Sequence, residues 1–150
     1  MISLVVLMSV ASPVPPSFVT DSIDWADFLA RADMKWNYST ATLPVSWKEA
    51  AFTGNGLLSL SASHSSNDTL RFHVGRADVW ACGSMPILPI GHLEWKLPAT
   101  VVSGEWRQHL HDAILTANLT LADGSSAWFT AWTAATTQAI VFEHGVRKRE

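Results

Sequence analysis

Between Leu58 and His144, hydrophobic and polar residues alternate in short runs with a period of two, the spacing of strands with one buried and one wet face. Leu58, Leu60 and Ala62 alternate with Ser59, Ser61 and Ser63. A turn cluster follows over 64–68, and Leu70, Phe72 and Val74 then alternate with Arg71 and His73, so the two runs predict a β-hairpin with Asn67 at its tip. Leu93, Trp95 and Leu97 alternate with His92, Glu94 and Lys96 in a further strand. Another runs through Leu115, Ala117, Leu119 and Leu121, with Thr116, Asn118 and Thr120 on its wet face. Asp123-Gly124 signals a tight turn into a strand over 126–133, where Ala127, Phe129 and Ala131 share one face and Trp128, Thr130 and Trp132 the other. A last strand is expected over 138–144. Ahead of these, Asp24 caps a short helix in which Trp25, Phe28, Leu29 and Ala32 recur at helical spacing, a stripe that should pack on the body of the domain. With no βαβ alternation, heptads or repeats, the pattern predicts an all-β fold: an antiparallel two-sheet sandwich with a short N-terminal helix.

The ends of the chain read differently. Residues 1–11 are a short apolar run closed by Ser9-Val10-Ala11, too short to span a bilayer, which takes about 20 residues. They are expected to be a signal peptide rather than a membrane anchor. Residues 12–20, with Pro13, Pro15 and Pro16, read as a linker, 21–146 as the folded body and 147–150, with the basic run Arg147-Lys148-Arg149, as a solvated tail. Three acceptor sequons, at Asn37, Asn67 and Asn118, agree with a secreted glycoprotein. Cys82 is the single cysteine, so an internal disulfide is excluded.

Composition narrows the chemistry. At 48% hydrophobic and 15% charged, the chain of 150 residues has enough apolar surface for one core. A net charge of −3 gives no reason to expect nucleic acid as a partner. Eight Trp are many for this length, and indoles suit both large cores and stacking on sugar rings. Asp78, Glu94, Glu105 and Asp112 are carboxylates, but glycoside hydrolysis needs two of them facing each other about 5–9.5 Å apart. His109 and His111 are expected to share a strand face without a third ligand at a recognised spacing. No nucleophile elbow, phosphate loop or dinucleotide fingerprint is present. The sequence therefore assigns no catalytic residue, no metal ligand and no cofactor.

Two stretches stand out. Gly54-Asn55-Gly56 is a turn that permits positive φ and close backbone approach. The segment following the hairpin at Gly75 presents Arg76, Asp78 and Trp80, expected on a loop. The ordered set SWKEAAFTGNGLL (46–58), LRFHVGRADVW (70–80) and LPIGHL (88–93) resembles the N-terminal domain of an uncharacterised glycoside-hydrolase-like family. It is similar, more distantly, to the equivalent domain of family-95 glycoside hydrolases, the α-L-fucosidase group. The likeness spans Trp25 to His144 and departs from the family pattern at Ala50 and Ser59, where glycine is usual.

The resemblance implies a large two-sheet β-domain, a supersandwich that this chain leaves incomplete, leading into an (α/α) barrel that carries the catalytic carboxylate. The expectation is then a non-catalytic N-terminal domain of a secreted carbohydrate-active hydrolase, meeting a carbohydrate substrate through the missing catalytic domain. Asn55, Arg76, Asp78 and Trp80 are its candidate substrate-binding residues. Two alternatives stay open: a stand-alone lectin-like sandwich binding glycans through Trp128 and Trp132, or a truncated and inactive product, poorly soluble on its own because of exposed strand edges.

Overall fold

The alternating runs pair as antiparallel ladders, and their order decides where the candidate residues lie. The computed structural model describes residues 22–37, 43–46, 48–80 and 87–148. The leader and linker expected over 1–20, together with Trp47 and Cys82, fall outside the described residues. Among the described residues, one helix, α1 (Trp25–Ala30), precedes nine strands: β1 (Met34–Asn37), β2 (Ala51–Gly54), β3 (Leu58–Ser66), β4 (Thr69–Trp80), β5 (Ile87–Lys96), β6 (Val101–His109), β7 (Ile114–Leu121), β8 (Ser126–Thr133) and β9 (Ile140–Arg147). They form a five-stranded sheet in the order β1-β6-β7-β8-β9 and a four-stranded sheet in the order β2-β3-β4-β5. All strand pairs are antiparallel. The fold is the expected all-β two-sheet sandwich.

The dry faces meet between the sheets. Leu60, Ala62, Leu70 and Phe72 of the smaller sheet pack against Trp106, Leu115, Ala117, Leu119, Phe129 and Ala131 of the larger. Phe129 stands at the centre. Its ring meets Phe72 and Trp106 edge to face, each at 5.2 Å between centroids, as aromatic quadrupoles prefer. The two flanks are closed differently. On one, β2 is tied by polar side chains: Gln108 Oε1 accepts from the Phe52 amide (3.2 Å) and Thr53 Oγ1 donates to the Ala113 carbonyl (2.8 Å). On the other, Phe142 meets Phe72 at 4.6 Å and His144 meets Trp95 at 4.7 Å.

Several expectations need correction. Asp24 does cap α1, accepting from the Asp27 amide at 3.1 Å, but the helix ends at Ala30 and buries none of its residues. Six residues make under two turns, and Trp25 and Phe28, each about half exposed, meet edge to face at 5.6 Å. The segment is fastened instead by Asp33, whose carboxylate accepts from the Leu110 amide (2.9 Å) and from Arg107 Nε (2.8 Å). The amide of Leu110 above all holds that carboxyl below its usual range. The hairpin turn is only Asn67-Asp68, since β3 runs on to Ser66 opposite Thr69. The final strand extends through Arg147, which pairs with Ser126, so Arg147 belongs to the sheet and not to a solvated tail. Leu93 lies opposite buried Phe72 yet is 57% exposed, because β5 is the edge strand of its sheet among the described residues.

One inward position is ionisable. His64 is buried with its ring 5.6 Å from that of Trp106. Its Nδ1 donates to the Ser66 carbonyl at 3.2 Å, while Nε2 has no partner among the described residues. Burial disfavours the imidazolium and lowers the pKa below the ordinary 6.5. The unfolded chain then binds a proton more readily than the folded one. This group's contribution is therefore complete above pH 6.5 and is lost as pH falls from there toward the depressed folded value. Thermal melts from pH 8 to pH 5 should show this loss in the native chain and a shallower slope in a His64→Asn variant. Equal slopes would place the pH dependence elsewhere.

Candidate functional site

Gly54, Asn55 and Gly56 carry the chain from β2 into β3, with φ at Gly56 of 90°, a conformation that favours glycine. Every polar atom of the Asn55 side chain is engaged. Its Oδ1 accepts from the amides of Leu57 (3.1 Å) and Leu58 (2.8 Å). Its Nδ2 donates to the carbonyls of Ala134 (2.9 Å) and Thr137 (3.3 Å), in the connection between β8 and β9. The residue clamps the corner of one sheet to the turn of the other. It positions the rim.

The segment bearing Arg76, Asp78 and Trp80 is not the expected loop. It is the end of β4, which runs unbroken past Gly75 to Trp80. Strand geometry persists because the Gly54-Asn55-Gly56 corner lies beside it: Arg76 pairs with Leu58, and the Ala77 amide donates to the Leu57 carbonyl at 2.8 Å. The ladder to β5 jumps from Gly75 opposite Pro89 to Trp80 opposite Ile87, so residues 76–79 bulge away from that strand. The two stretches singled out in the sequence thus form one rim.

On this rim Arg76 and Asp78, two apart on a strand, project to the same side. Nε and Nη2 of Arg76 reach Oδ1 and Oδ2 of Asp78 at 2.9 and 2.7 Å, a bidentate fork open to solvent. The fork holds the Asp78 carboxyl below its usual range and raises the guanidinium above its own. Asp78 is consequently an ionised acceptor and Arg76 a fixed donor. Trp80, 53% exposed, adds an aromatic surface two residues on. Beside the fork lies a depression of about 190 Å³ lined by Gly54, Gly56, Leu57, Ser59, Gly75 and Arg76. Complete ligand pockets typically hold about 300–1,000 Å³, so the depression falls short of one by itself. Ser59 and Leu57 were not among the sequence candidates; a serine on the wet face of a strand gives no signal until its cross-strand neighbour, Gly75, is known.

The remaining acids stand apart. Glu94 is on β5 and is held below its usual range by the Arg71 guanidinium, with Arg71 Nη2 at 2.6 Å. Glu105 is on β6 in the other sheet, and Asp112 is in the β6–β7 turn beside His111. His109 and His111 do not share a strand face: His109 ends β6 and contacts Thr116 Oγ1 at 3.0 Å, while His111 lies in the turn. No group of three or more His, Cys, Asp or Glu side chains converges among the described residues.

Of the three sequons, Asn67 occupies the β3–β4 turn, Asn37 ends β1 opposite Glu105, and Asn118 sits mid-strand in β7, directly opposite Trp128. All three are exposed. Trp128 and Trp132 lie on the outward face of the larger sheet, and Trp128 is 39% exposed. No helix among the described residues is long and apolar enough to cross a membrane. No family model matches this chain, and comparisons with curated proteins and with solved structures return no match.

Proposed function

We propose that this chain is the N-terminal, non-catalytic β-sandwich domain of a secreted hydrolase acting on O-glycosyl bonds. Its rim at residues 54–59 and 75–80 would form one wall of a sugar site completed by an (α/α) barrel. The observation that carries this reading is the hydrogen bond from the Ala77 amide to the Leu57 carbonyl, 2.8 Å, which joins the two family-like motifs into one surface. A sugar offers vicinal hydroxyls and an apolar ring face. The rim offers the guanidinium N–H groups of Arg76 that Asp78 does not engage, an ionised acceptor in Asp78 and the exposed ring of Trp80.

The test is twofold. Sequencing the transcript beyond codon 150 should find an open frame encoding long helical repeats; a stop codon there would remove the barrel and the proposal with it. In the protein continued through that frame, Arg76→Ala should raise KM about 10- to 100-fold, the loss expected for charge-assisted hydrogen bonds worth roughly 1.5–3 kcal/mol. Unchanged KM and kcat would take the rim out of the site.

A second reading rests on the exposed Trp128 face, which suits a stand-alone lectin-like module. Titration calorimetry of the isolated chain against a glycan panel separates the two, because only the lectin binds without a barrel.

A further inference from the structure

The outward face of the larger sheet carries a cross-strand row in which Asn37, Glu105, Asn118, Trp128 and Gly145 lie side by side across β1, β6, β7, β8 and β9. Within that row an acceptor asparagine is the direct partner of an exposed indole. Directly opposed side chains on a sheet have Cβ atoms about 4.5–5.5 Å apart. The indole is laid down against Gly145: a Cβ there would come within 2.8 Å of Trp128 Nε1, so only glycine lets the ring rest on β9. Beside the ring is an open depression of about 400 Å³ whose walls include Asn118, Thr120, Ser126, Trp128 and Arg147. Arg147, opposite Ser126, places a guanidinium donor at its edge.

We propose that Asn118 carries an N-linked glycan whose first N-acetylglucosamine packs on the indole of Trp128. The inference rests on the expectation of secretion, not on the hydrolase reading. In the attachment, Asn118 Nδ2 bonds to C1 of the sugar. The C1–O bond to a polyprenyl diphosphate carrier breaks, the diphosphate leaves with the electron pair, and Nδ2 gives up a proton. In the folded chain Asn118 is held in a central strand paired on both sides, so transfer belongs to the extended chain before the sheet closes. Once it closes, the only direction open to the sugar is outward over the depression. There its apolar face meets the ring, and its acetamide and hydroxyls meet Arg147 and Thr120. Asn67, in a turn, and Asn37, opposite a carboxylate, have no ring as cross-strand partner. The face that a lectin would offer to a foreign glycan is thereby occupied by the protein's own.

The full chain, secreted from eukaryotic cells behind a proven heterologous leader, tests this independently of its own leader and of any barrel. Peptide mass spectrometry should find Asn118 occupied. The occupied chain should melt about 3–5 °C above Asn118→Gln, the shift expected of roughly 1 kcal/mol in a domain of this size. In a Trp128→Ala background that difference should fall below about 1 °C. Trimming the glycan to its first sugar should preserve it. Where Trp128→Ala fails to accumulate, hydroxyl-radical footprinting of the native sequence serves instead, with Trp128 oxidised several-fold more slowly in the occupied chain than in Asn118→Gln. An unoccupied Asn118, equal melting shifts in both backgrounds, loss of the shift on trimming, or equal oxidation rates would each overturn the proposal.

Discussion

Phe129→Ala should lower the unfolding free energy by about 3–5 kcal/mol, the cost of truncating a buried aromatic without collapse of the space left behind. A domain of ordinary stability has only about 5–15 kcal/mol in total, so the melting point should fall by roughly 10 °C or more. The reason is position. Phe129 is 1% exposed and its ring touches Phe72, Trp106 and Phe142, so its loss removes contacts to both sheets at once. Its neighbours Ala117, across the sheet, and Ala131, along the strand, have no side chain long enough to fill the space. The control is the next residue along β8. Trp128→Ala, in unglycosylated protein, removes a larger ring from the opposite face and should cost under about 1 kcal/mol. Urea unfolding of the two variants reads the facing of β8 directly; equal losses would mean that the strand is turned over.

That facing was legible from alternation alone, and so were β7 and most of β3 and β8. There apolar inward residues alternate with mostly polar outward ones until the buried polar residues Ser63, His64 and Thr133 break the pattern toward the strand ends. β6 was not. A bulge between Val101 and Ser103 shifts its phase, so Val101 and Trp106 both face inward although they stand an odd number apart. Its other inward positions are Gly104, which has no side chain, and Gln108, which is polar because it bonds the Phe52 amide across the sandwich. β2 hid for a related reason: its inward Thr53 is a hydrogen-bonding residue, while its outward Phe52 is 58% exposed, inverting the usual pattern. Both exceptions lie at the flank where the sheets are joined by polar bonds, and a period argument weighs only hydrophobicity. The candidate rim was half legible. Its residues were visible as motifs, but whether they touch depends on the Leu58–Arg76 register, a partnership 18 positions apart in sequence that no local pattern encodes. The same limit explains why the Arg76 segment was expected to be a loop: Gly75 signals an end, and only the neighbouring β3 keeps the strand going.

The rim's own stability should depend on Asn55 more than on any residue that faces the depression. Asn55→Ala deletes four hydrogen bonds at a half-buried corner and should cost about 2–3 kcal/mol, given roughly 1 kcal/mol net for each and partial replacement by water. Asn55→Asp separates the two halves of the clamp. One carboxylate oxygen can still accept from the amides of Leu57 and Leu58, but the other is set against the carbonyl oxygens of Ala134 and Thr137, acceptor against acceptor. Near pH 7 the Asp variant should therefore melt below the Ala variant, even though it keeps more of the native side chain. Protonation restores a donor, so the folded state favours the acid form and raises its pKa above the ordinary carboxylate value of about 4. The Asp variant's deficit should then shrink as pH falls toward 4, whereas the Ala variant's should not. Melts of both at pH 7 and pH 4, each against the native chain at the same pH, give the comparison. A ligand-facing Asn55 would give the opposite picture, with all three proteins melting together at both pH values and only sugar affinity changed.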